Sequence, residues 1–200
     1  MEKTIIDLIR HGEPEGGSRY RGHGVDDPLS ERGWSQMWKA VGDHGPWQVV
    51  VSSPLRRCRA FAEALAERHG LIVEVDERFR EIGFGAWEGR GREELQRERP
   101  DEYAAFYQDP VHARPPGAED LDAFIARVVA GYEEMVQAHS GHRCLLVSHA
   151  GVMRAILAHI VQACPAGLYR MQIPNAGLSR IRYRRFGPEL VYMNAERVPD

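Results

Sequence analysis

The chain has 200 residues, 43% of them hydrophobic and 28% charged, with a formal net charge of −3 at pH 7. This length and balance are typical of one globular domain that buries a core without disulfides or metals. The small negative charge argues against general attraction to nucleic acid or an anionic membrane, so any anion site has to be local. Three separated cysteines without a CxxC pair, and an N-terminus without a signal-peptide pattern, predict a cytoplasmic protein with no membrane span.

Strands and helices are predicted to alternate along the chain, from runs of apolar residues and from apolar residues at helical spacing. Ser30 and Ser53 are the predicted N-caps of the first two helices, the second of which starts at Pro54 and ends before Gly70. The predicted elements are, in order, strand 4–9, helix 30–41, strand 49–51, helix 54–69, strand 71–75, helices 92–99 and 101–108, helix 121–136, strand 144–147, helix 152–161 and a hairpin of strands 178–185 and 189–193.

This alternation predicts an α/β fold of three layers, α/β/α, with a mostly parallel central sheet and the antiparallel hairpin at its edge. We expect residues 1–200 to form a single domain, with a small helical insertion around residues 91–116. The Gly-rich stretch "GEPEGGSRYRGHG" lacks the G-x-G-x-x-G spacing and does not open into a helix, so a dinucleotide-binding fold is rejected.

Charged and titratable side chains stand where predicted strands end. Arg10 and His11 follow the first strand, and His149 follows a later one, so parallel strands bring them to one edge of the sheet. The stretch "SSPLRRCRAFAEAL" places arginines, Arg56 and Arg57 among them, in the first turn of a helix, whose N-terminus carries partial positive charge, and Glu81 precedes a Gly-rich turn. This set predicts an anion pocket that suits phosphate, in which a neutral imidazole can act as a nucleophile and a nearby carboxylic acid can protonate a leaving oxygen. No metal-ligand pattern is present, so neither a metal nor another cofactor is expected.

Four segments, "LIRHGE", "SSPLRRCRAFAEAL", "REIGFGAWEG" and "SHAGVMRAIL", resemble the successive motifs of the histidine phosphatase, or phosphoglycerate-mutase-like, superfamily. They span nearly the whole chain in the expected order. The resemblance implies the phosphoglycerate-mutase-like fold and a phosphatase that works through a phosphohistidine. It implies that His11 attacks phosphorus, that Arg10, Arg57 and His149 hold the phosphate oxygens, and that Glu81 exchanges the proton.

The chain departs from the family pattern after the RHG motif. Pro14 and Gly17 stand where many members have Thr and Asn, so we expect phosphate binding to use backbone groups near Gly12, or Ser18 or Arg21. Ala150 replaces a frequent Gly and leaves the chemistry unchanged. The phosphate- and substrate-binding set that the resemblance implies is Arg10, Gly12, Arg21, Arg57, His149 and Ala150.

The stretch "RHGEPEGGSRYRGHGVDDPLSERGWSQM" is similar to the early part of bacterial α-ribazole-5′-phosphate phosphatases, which act in cobalamin assembly. The expected partner is therefore a small phosphorylated substrate, with α-ribazole 5′-phosphate as a candidate, and a homodimer is the assembly to test. A phosphoglycerate mutase or a sugar (bis)phosphatase with the same His11 chemistry is one alternative. A catalytically inactive module that binds a phosphorylated ligand is another. The compact chain with its modest insertion favours phosphatase over mutase.

Overall fold

A six-stranded sheet is the centre of the computed structural model, which describes residues 3–43 and 45–199. Its strands are β1 (Ile5–Arg10), β2 (Val49–Ser52), β3 (Val73–Val75), β4 (Arg143–Ser148), β5 (Leu178–Arg184) and β6 (Gly187–Ala195). The strand order is β3-β2-β4-β1-β5-β6. The pairs β2–β3, β2–β4 and β1–β4 are parallel, whereas β1–β5 and β5–β6 are antiparallel. The predicted mostly parallel sheet with an antiparallel edge hairpin is confirmed.

The described residues form six α-helices in addition to the sheet. They are α1 (Glu31–Val41), α2 (Arg56–His69), α3 (Arg92–Glu98), α4 (Pro100–Gln108), α5 (Leu121–Ala138) and α6 (Ala150–Ile160). Short 3₁₀ turns occupy Glu77–Phe79, Gly85–Trp87 and Pro165–Arg170. None of the helices in the described part of the chain has the length and apolar composition needed to cross a bilayer.

The apolar strands bury side chains on both faces of the sheet. Leu8 and Ile9 are neighbours in β1, and both are fully buried, but they belong to different core clusters because successive side chains in a strand point to opposite faces. Leu8 lies in the cluster that includes Phe124 of α5 and Ile156 of α6, and Ile9 in the cluster that includes Phe61 of α2. The mostly apolar run of β1, interrupted by the buried Asp7, is therefore the pattern of a two-sided strand.

Helices α3 and α4 have a small core of their own, in which Trp87, Leu95 and Phe106 are fully buried. The rings of Trp87 and Phe106 meet edge to face, with their centroids 5.0 Å apart. The two helices fall within residues 91–116, and their description as an insertion into a single domain stays a prediction.

The start of α2 differs from the prediction. The helix begins at Arg56, and the N-cap position is Leu55, which makes no side-chain capping bond. The Ser53 hydroxyl lies 3.3 Å from the Leu55 N–H but 2.7 Å from Nε2 of His149. The Ser53 hydroxyl thus accepts a hydrogen bond from the Leu55 N–H and also bonds His149, whereas the first helical N–H, that of Arg56, donates to Asp26 Oδ1 at 2.8 Å.

The two other predicted capping residues, Ser30 and Gly70, are confirmed. Ser30 caps α1 by accepting a hydrogen bond from Gly33 N–H at 3.0 Å. Gly70 ends α2 in the left-handed conformation, with φ at 66°. The Leu71 N–H then bonds back to the Ala66 carbonyl at 2.9 Å, which keeps Leu71 in the helix cap, so β3 starts two residues later than predicted.

Candidate active site

The site forms where β1 and β4 end side by side. These strands pair in parallel register, with Arg10 opposite Ser148, so the residues that follow, His11 and His149, are neighbours. Their ring centroids are 5.2 Å apart, with the ring planes at 65°. Both histidines are buried. The spacing allows the two rings to contact a single bound oxyanion.

His11 is held in one tautomer by its own backbone neighbourhood. Its Nδ1 lies 2.7 Å from the Gly12 carbonyl oxygen. Because a carbonyl only accepts hydrogen bonds, Nδ1 carries the proton and Nε2 keeps its lone pair. Burial, and after it the charges of Arg10 and Arg57, lower the pKa of His11 well below 6.5. The imidazole is therefore neutral near pH 7, which is the form that a nucleophile requires.

Arg10 and Arg57 place two guanidinium groups at this edge. Burial lowers the pKa of Arg10 to about 10, so that it remains cationic at neutral pH. Arg57 is only 1% exposed and donates to the carbonyl oxygens of Gly22 at 2.8 Å and Val25 at 3.1 Å. The Nε atoms of both arginines are buried without a hydrogen-bond partner in the described structure. The nearest carboxylate to Arg57, that of Asp26, is 3.8 Å away. The site therefore has a surplus of positive charge.

His149 is fully buried, and its ring lies against that of His11. Its Nε2 lies 2.7 Å from Ser53 Oγ and 3.5 Å from Cys58 Sγ. Burial, followed by the charge of Arg57, lowers its pKa well below 6.5. The sequence interpretation missed Ser53 as a site residue. The available signal was that Ser53 follows β2, which pairs in parallel with β4 and therefore ends at the same edge as His149.

The Glu81 carboxylate is fixed at the start of α6. Its Oε1 accepts a hydrogen bond from the Ile82 N–H at 3.0 Å, and its Oε2 accepts one from the Gly151 N–H at 3.2 Å. The N-terminus of a helix carries partial positive charge and free N–H groups, which favour a carboxylate there. This arrangement holds the Glu81 carboxylate at the wall of a cavity that His11 also lines.

One cavity of about 440 Å³ brings most of the predicted residues together. Its wall includes six of them, namely Arg10, His11, Arg21, Arg57, Glu81 and Ala150. Two others are not on the wall. The Gly12 carbonyl is turned toward the His11 ring, and His149 lies beneath the surface against that ring.

Most of the Arg21 guanidinium is hydrogen-bonded to the loop that follows His11. Its Nε bonds Asp27 at 2.8 Å, and its Nη2 bonds the carbonyl oxygens of Glu15 at 2.5 Å and Gly17 at 2.7 Å. Its Nη1 donates to the Arg19 carbonyl at 3.3 Å. These contacts fix the loop that follows His11. A direct contact between Arg21 and phosphate, as the sequence suggested, stays a prediction.

Three further cavity residues were missed in the sequence. Asn175 donates from Nδ2 to the His11 carbonyl at 3.1 Å, Arg154 donates from Nε to the Met171 carbonyl at 2.8 Å, and Tyr169 lines the wall beside them. Asn175 precedes β5, which runs antiparallel to β1, so this segment arrives at the edge where β1 ends. The sequence predicted the hairpin but not its pairing with β1, so it gave no signal for Asn175.

Comparisons with known proteins agree with this geometry. The model of the histidine phosphatase superfamily (branch 1) matches residues 6–196. A bifunctional protein of Mycobacterium tuberculosis is 35% identical over 180 residues, which cover 88% of this chain and 49% of that protein. The chain thus spans about half the length of that relative. The adenosylcobalamin/α-ribazole phosphatase of Salmonella typhimurium is 30% identical over 178 residues, 87% of this chain and 88% of that enzyme.

A solved structure is also similar over its whole length. The mycobacterial glucosyl-3-phosphoglycerate phosphatase in complex with VO3 superposes with a TM-score of 0.84 at 29% identity, covering 98% of this chain and all 100% of that one. The family model, the relatives and the fold lead to the same assignment. This chain belongs to the histidine phosphatase superfamily.

Proposed function

We propose that the protein is a phosphomonoesterase that transfers the phosphoryl group of a small metabolite to His11 and then to water. One observation carries the proposal. His11 is buried and neutral, its Nδ1 is bonded to the Gly12 carbonyl, and its Nε2 lone pair is left for reaction beside Arg10 and the buried Arg57. Phosphoryl transfer depends mainly on in-line positioning and on positive charge around the spreading oxygens.

In the first step, Nε2 of His11 attacks phosphorus, and the bond between phosphorus and the ester oxygen breaks. Arg10, Arg57 and His149 hold the three equatorial oxygens in this proposal. Glu81, in its protonated form, gives its proton to the leaving alkoxide, so that a neutral alcohol departs. The product is a phosphohistidine beside a Glu81 carboxylate.

In the second step, water attacks the phosphohistidine, and the nitrogen–phosphorus bond breaks. Glu81 takes the proton of the attacking water, which restores its protonated form, and inorganic phosphate leaves. A single carboxyl group therefore acts as acid in the first step and as base in the second. Its anchoring to two backbone N–H groups supports this use, because the proton is exchanged at a fixed place.

Relatives support two classes of substrate. The similar Salmonella enzyme is named as an adenosylcobalamin/α-ribazole phosphatase, and the similar mycobacterial structure as a glucosyl-3-phosphoglycerate phosphatase. We therefore propose α-ribazole 5′-phosphate as one candidate substrate and a phosphorylated hydroxy acid as the other. A cavity of about 440 Å³ has the size expected of a site for a small metabolite.

A mutase with the same His11 chemistry is the second candidate function. It would return the phosphoryl group to the substrate and must keep water away from the phosphohistidine. The ratio of inorganic phosphate released to isomer formed separates the two functions, and we expect release to dominate. A phospho-ligand binding module without chemistry would release nothing.

Trapping the intermediate tests the mechanism. The protein is mixed with p-nitrophenyl phosphate or α-ribazole 5′-phosphate and quenched in alkali, in which phosphohistidine survives, and the modified peptide is identified by mass spectrometry. We expect one phosphoryl group, on His11. The variant H11A should carry no label and release no phosphate.

The matched control is H112A, because the side chain of His112 is 82% exposed and, among the described residues, pairs only with Asp109. This variant should be labelled and active like the unmodified protein. Undiminished turnover with no phosphoryl group on His11, or with the label on another residue, contradicts the mechanism.

A further inference from the structure

Arginines outnumber carboxylates on the cavity wall. Six arginines and two glutamates line it, namely Arg10, Arg19, Arg21, Arg57, Arg92 and Arg154 with Glu13 and Glu81. A transferred phosphate accounts for Arg10 and Arg57 in the proposed function. Arg19 and Arg21 share the carboxylate of Asp27, at 2.7 and 2.8 Å. Arg92 is exposed and reaches the Tyr107 hydroxyl at 3.4 Å.

Outside the proposed phosphate site, Arg92 and Arg154 are the wall arginines without a carboxylate partner among the described residues, and of the two only Arg154 is partly buried. Its Nε donates to the Met171 carbonyl at 2.8 Å, and its guanidinium lies 5.5 Å from the centroid of the Tyr169 ring. It forms no ion pair with a carboxylate in the described part of the chain, and its two Nη atoms make no hydrogen bond there. One edge of the guanidinium is thus held by backbone and aromatic contacts, and the other edge, the fork that binds oxyanions, is unused.

The position of Arg154 in α6 relates it to the leaving group. It follows Gly151 by three residues, so the two lie on the same face of the helix. The Gly151 N–H anchors Glu81, which is the proposed proton donor to the leaving oxygen. Arg154 and Glu81 also line a second, smaller cavity together. The Arg154 fork therefore lies beside the part of the substrate that departs as alcohol.

The negative charge that would match Arg154 does not come from Glu81 in the first step of the reaction. In the proposed mechanism it is protonated, and hence neutral, when the leaving oxygen departs. Arg154 also acts on Arg10, since its positive charge adds to the burial that lowers the pKa of Arg10. Two like charges facing one cavity are stabilised by an anion between them or beside them.

From this arrangement, and resting on the proposed phosphatase function, we infer that Arg154 determines specificity by binding a second oxyanion, a carboxylate or another phosphate, on the leaving group of the substrate. Of the two candidate classes above, this favours the phosphorylated hydroxy acid over α-ribazole 5′-phosphate, whose leaving group is neutral.

Matched substrates test the inference. 3-Phosphoglycerate and glycerol 3-phosphate differ only in a carboxylate against a hydroxymethyl group. We expect kcat/KM for phosphate release to be roughly 10- to 100-fold higher with the carboxylate, the range of one charged, paired hydrogen-bonding contact. A second pair, fructose 1,6-bisphosphate and fructose 6-phosphate, tests in the same way whether a second phosphate on the substrate raises kcat/KM. A preference in either pair supports the inference and identifies the oxyanion.

In the variant R154Q, the ratio of the two kcat/KM values in the pair that shows a preference should fall to near one. The variant R154K, which keeps the charge without the fork, should give an intermediate ratio. R59Q is the matched control, since Arg59 is an exposed helix arginine that pairs with Glu63 outside the cavity, and its ratio should not change. A ratio near one for both pairs in the unmodified protein overturns the inference, as does a ratio that R154Q leaves unaltered.

These failures are distinct from failure of the proposed function. If no substrate, including p-nitrophenyl phosphate, releases phosphate, the phosphatase proposal itself is wrong. If phosphate is released without preference for the second oxyanion, only the role of Arg154 is wrong.

Discussion

The N–H of Gly151 donates a hydrogen bond to Glu81 Oε2 at 3.2 Å, and a Cβ atom at residue 151 would lie 2.3 Å from Oε1 of the same carboxylate. The absence of a side chain at this point in α6 is what lets Glu81 lie against the helix N-terminus. Glycine within a helix costs about 1 kcal/mol relative to alanine. The position of the carboxylate gives a functional reason for bearing that cost.

The substitution G151A should therefore lower activity more than stability. The new methyl group displaces the flexible end of Glu81, so the proton is no longer delivered at the right place, and we expect kcat to fall roughly 100-fold, the low end of a general acid contribution. The loss should be larger for glycerol 3-phosphate than for p-nitrophenyl phosphate, whose leaving group needs no proton. Steady-state phosphate release measures both, and urea unfolding should change by no more than about 1 kcal/mol.

G167A is the control for that substitution. A Cβ atom there would meet its nearest neighbour, the Ala163 Cβ atom, at 3.9 Å, which is an ordinary contact. The variant G167A should hydrolyse both substrates as fast as the unmodified protein does. If G151A hydrolysed glycerol 3-phosphate as fast as the unmodified protein, the proposed role of the anchored Glu81 would be wrong.

The protonation state of His11 gives a prediction for spectroscopy. Burial and the charges of Arg10 and Arg57 lower its pKa well below 6.5, and the Gly12 carbonyl fixes the proton on Nδ1. At about pH 6, where an ordinary histidine is mostly charged, His11 should still be neutral with an unprotonated Nε2. Nitrogen-15 NMR of the imidazole rings, assigned with H11Q, reads the tautomer directly. An imidazolium signal from His11 at that pH would contradict the assignment.

The same lowered pKa makes stability depend on pH. Between the folded-state pKa of His11 and its ordinary value of 6.5, the unfolded chain binds a proton that the folded chain does not. The free energy of unfolding should therefore fall as the pH drops below 6.5, by up to about 1.4 kcal/mol per pH unit for this residue. Urea unfolding across that window should show a shallower fall in H11Q. Equal slopes in the two proteins would show that His11 does not titrate in this way.

Ser53 is predicted to position His149 rather than to contact substrate. The substitution S53A leaves the buried Nε2 of His149 without its oxygen partner, which should destabilise the fold by roughly 1–3 kcal/mol. It should also lower kcat, because the ring is free to rotate, and S53T, which keeps the hydroxyl, should restore much of it.

The neighbouring serine supplies the control for S53A. Ser52 is equally buried, but its hydroxyl donates to the Ser53 carbonyl at 2.8 Å and does not reach His149. S52A should lose stability while keeping most of its kcat. Equal kcat values for S52A and S53A would assign the effect of S53A to the fold alone.

Substitutions at Arg21 and at Asp27 should have similar effects on KM. If Arg21 acts by holding the loop after His11, then D27N, which removes the carboxylate, should raise KM about as much as R21M, roughly tenfold for the loss of a charged hydrogen bond. The inhibition constant of inorganic phosphate should rise equally in both variants. A much larger rise in R21M would instead support a direct contact between Arg21 and phosphate. E63Q, which breaks an exposed helix pair, should change neither constant.

Much of the fold could be predicted because its signals are local. Two-sided apolar strands, helical spacing and Gly70 at a helix end identify most elements to within one or two residues. The start of α2 was misplaced because propensity favoured Ser53 as a cap, whereas the Arg56 N–H bonds Asp26, 30 residues away in the chain, and the Ser53 hydroxyl also bonds His149, 96 residues away. Long-range partners of this kind have no signal in the neighbouring sequence.

By itself, the sequence determined the alternation of strands and helices, the family motifs and the charged residues that follow strand ends. Only the tertiary structure decided which groups each side chain bonds, because hydrogen bonds and burial depend on segments far apart in the chain. It buried His149 behind His11, committed much of the Arg21 guanidinium to a loop, and left the fork of Arg154 unpaired in the cavity. Parallel strands bring residues to one edge, but packing in three dimensions sets which of them face a ligand.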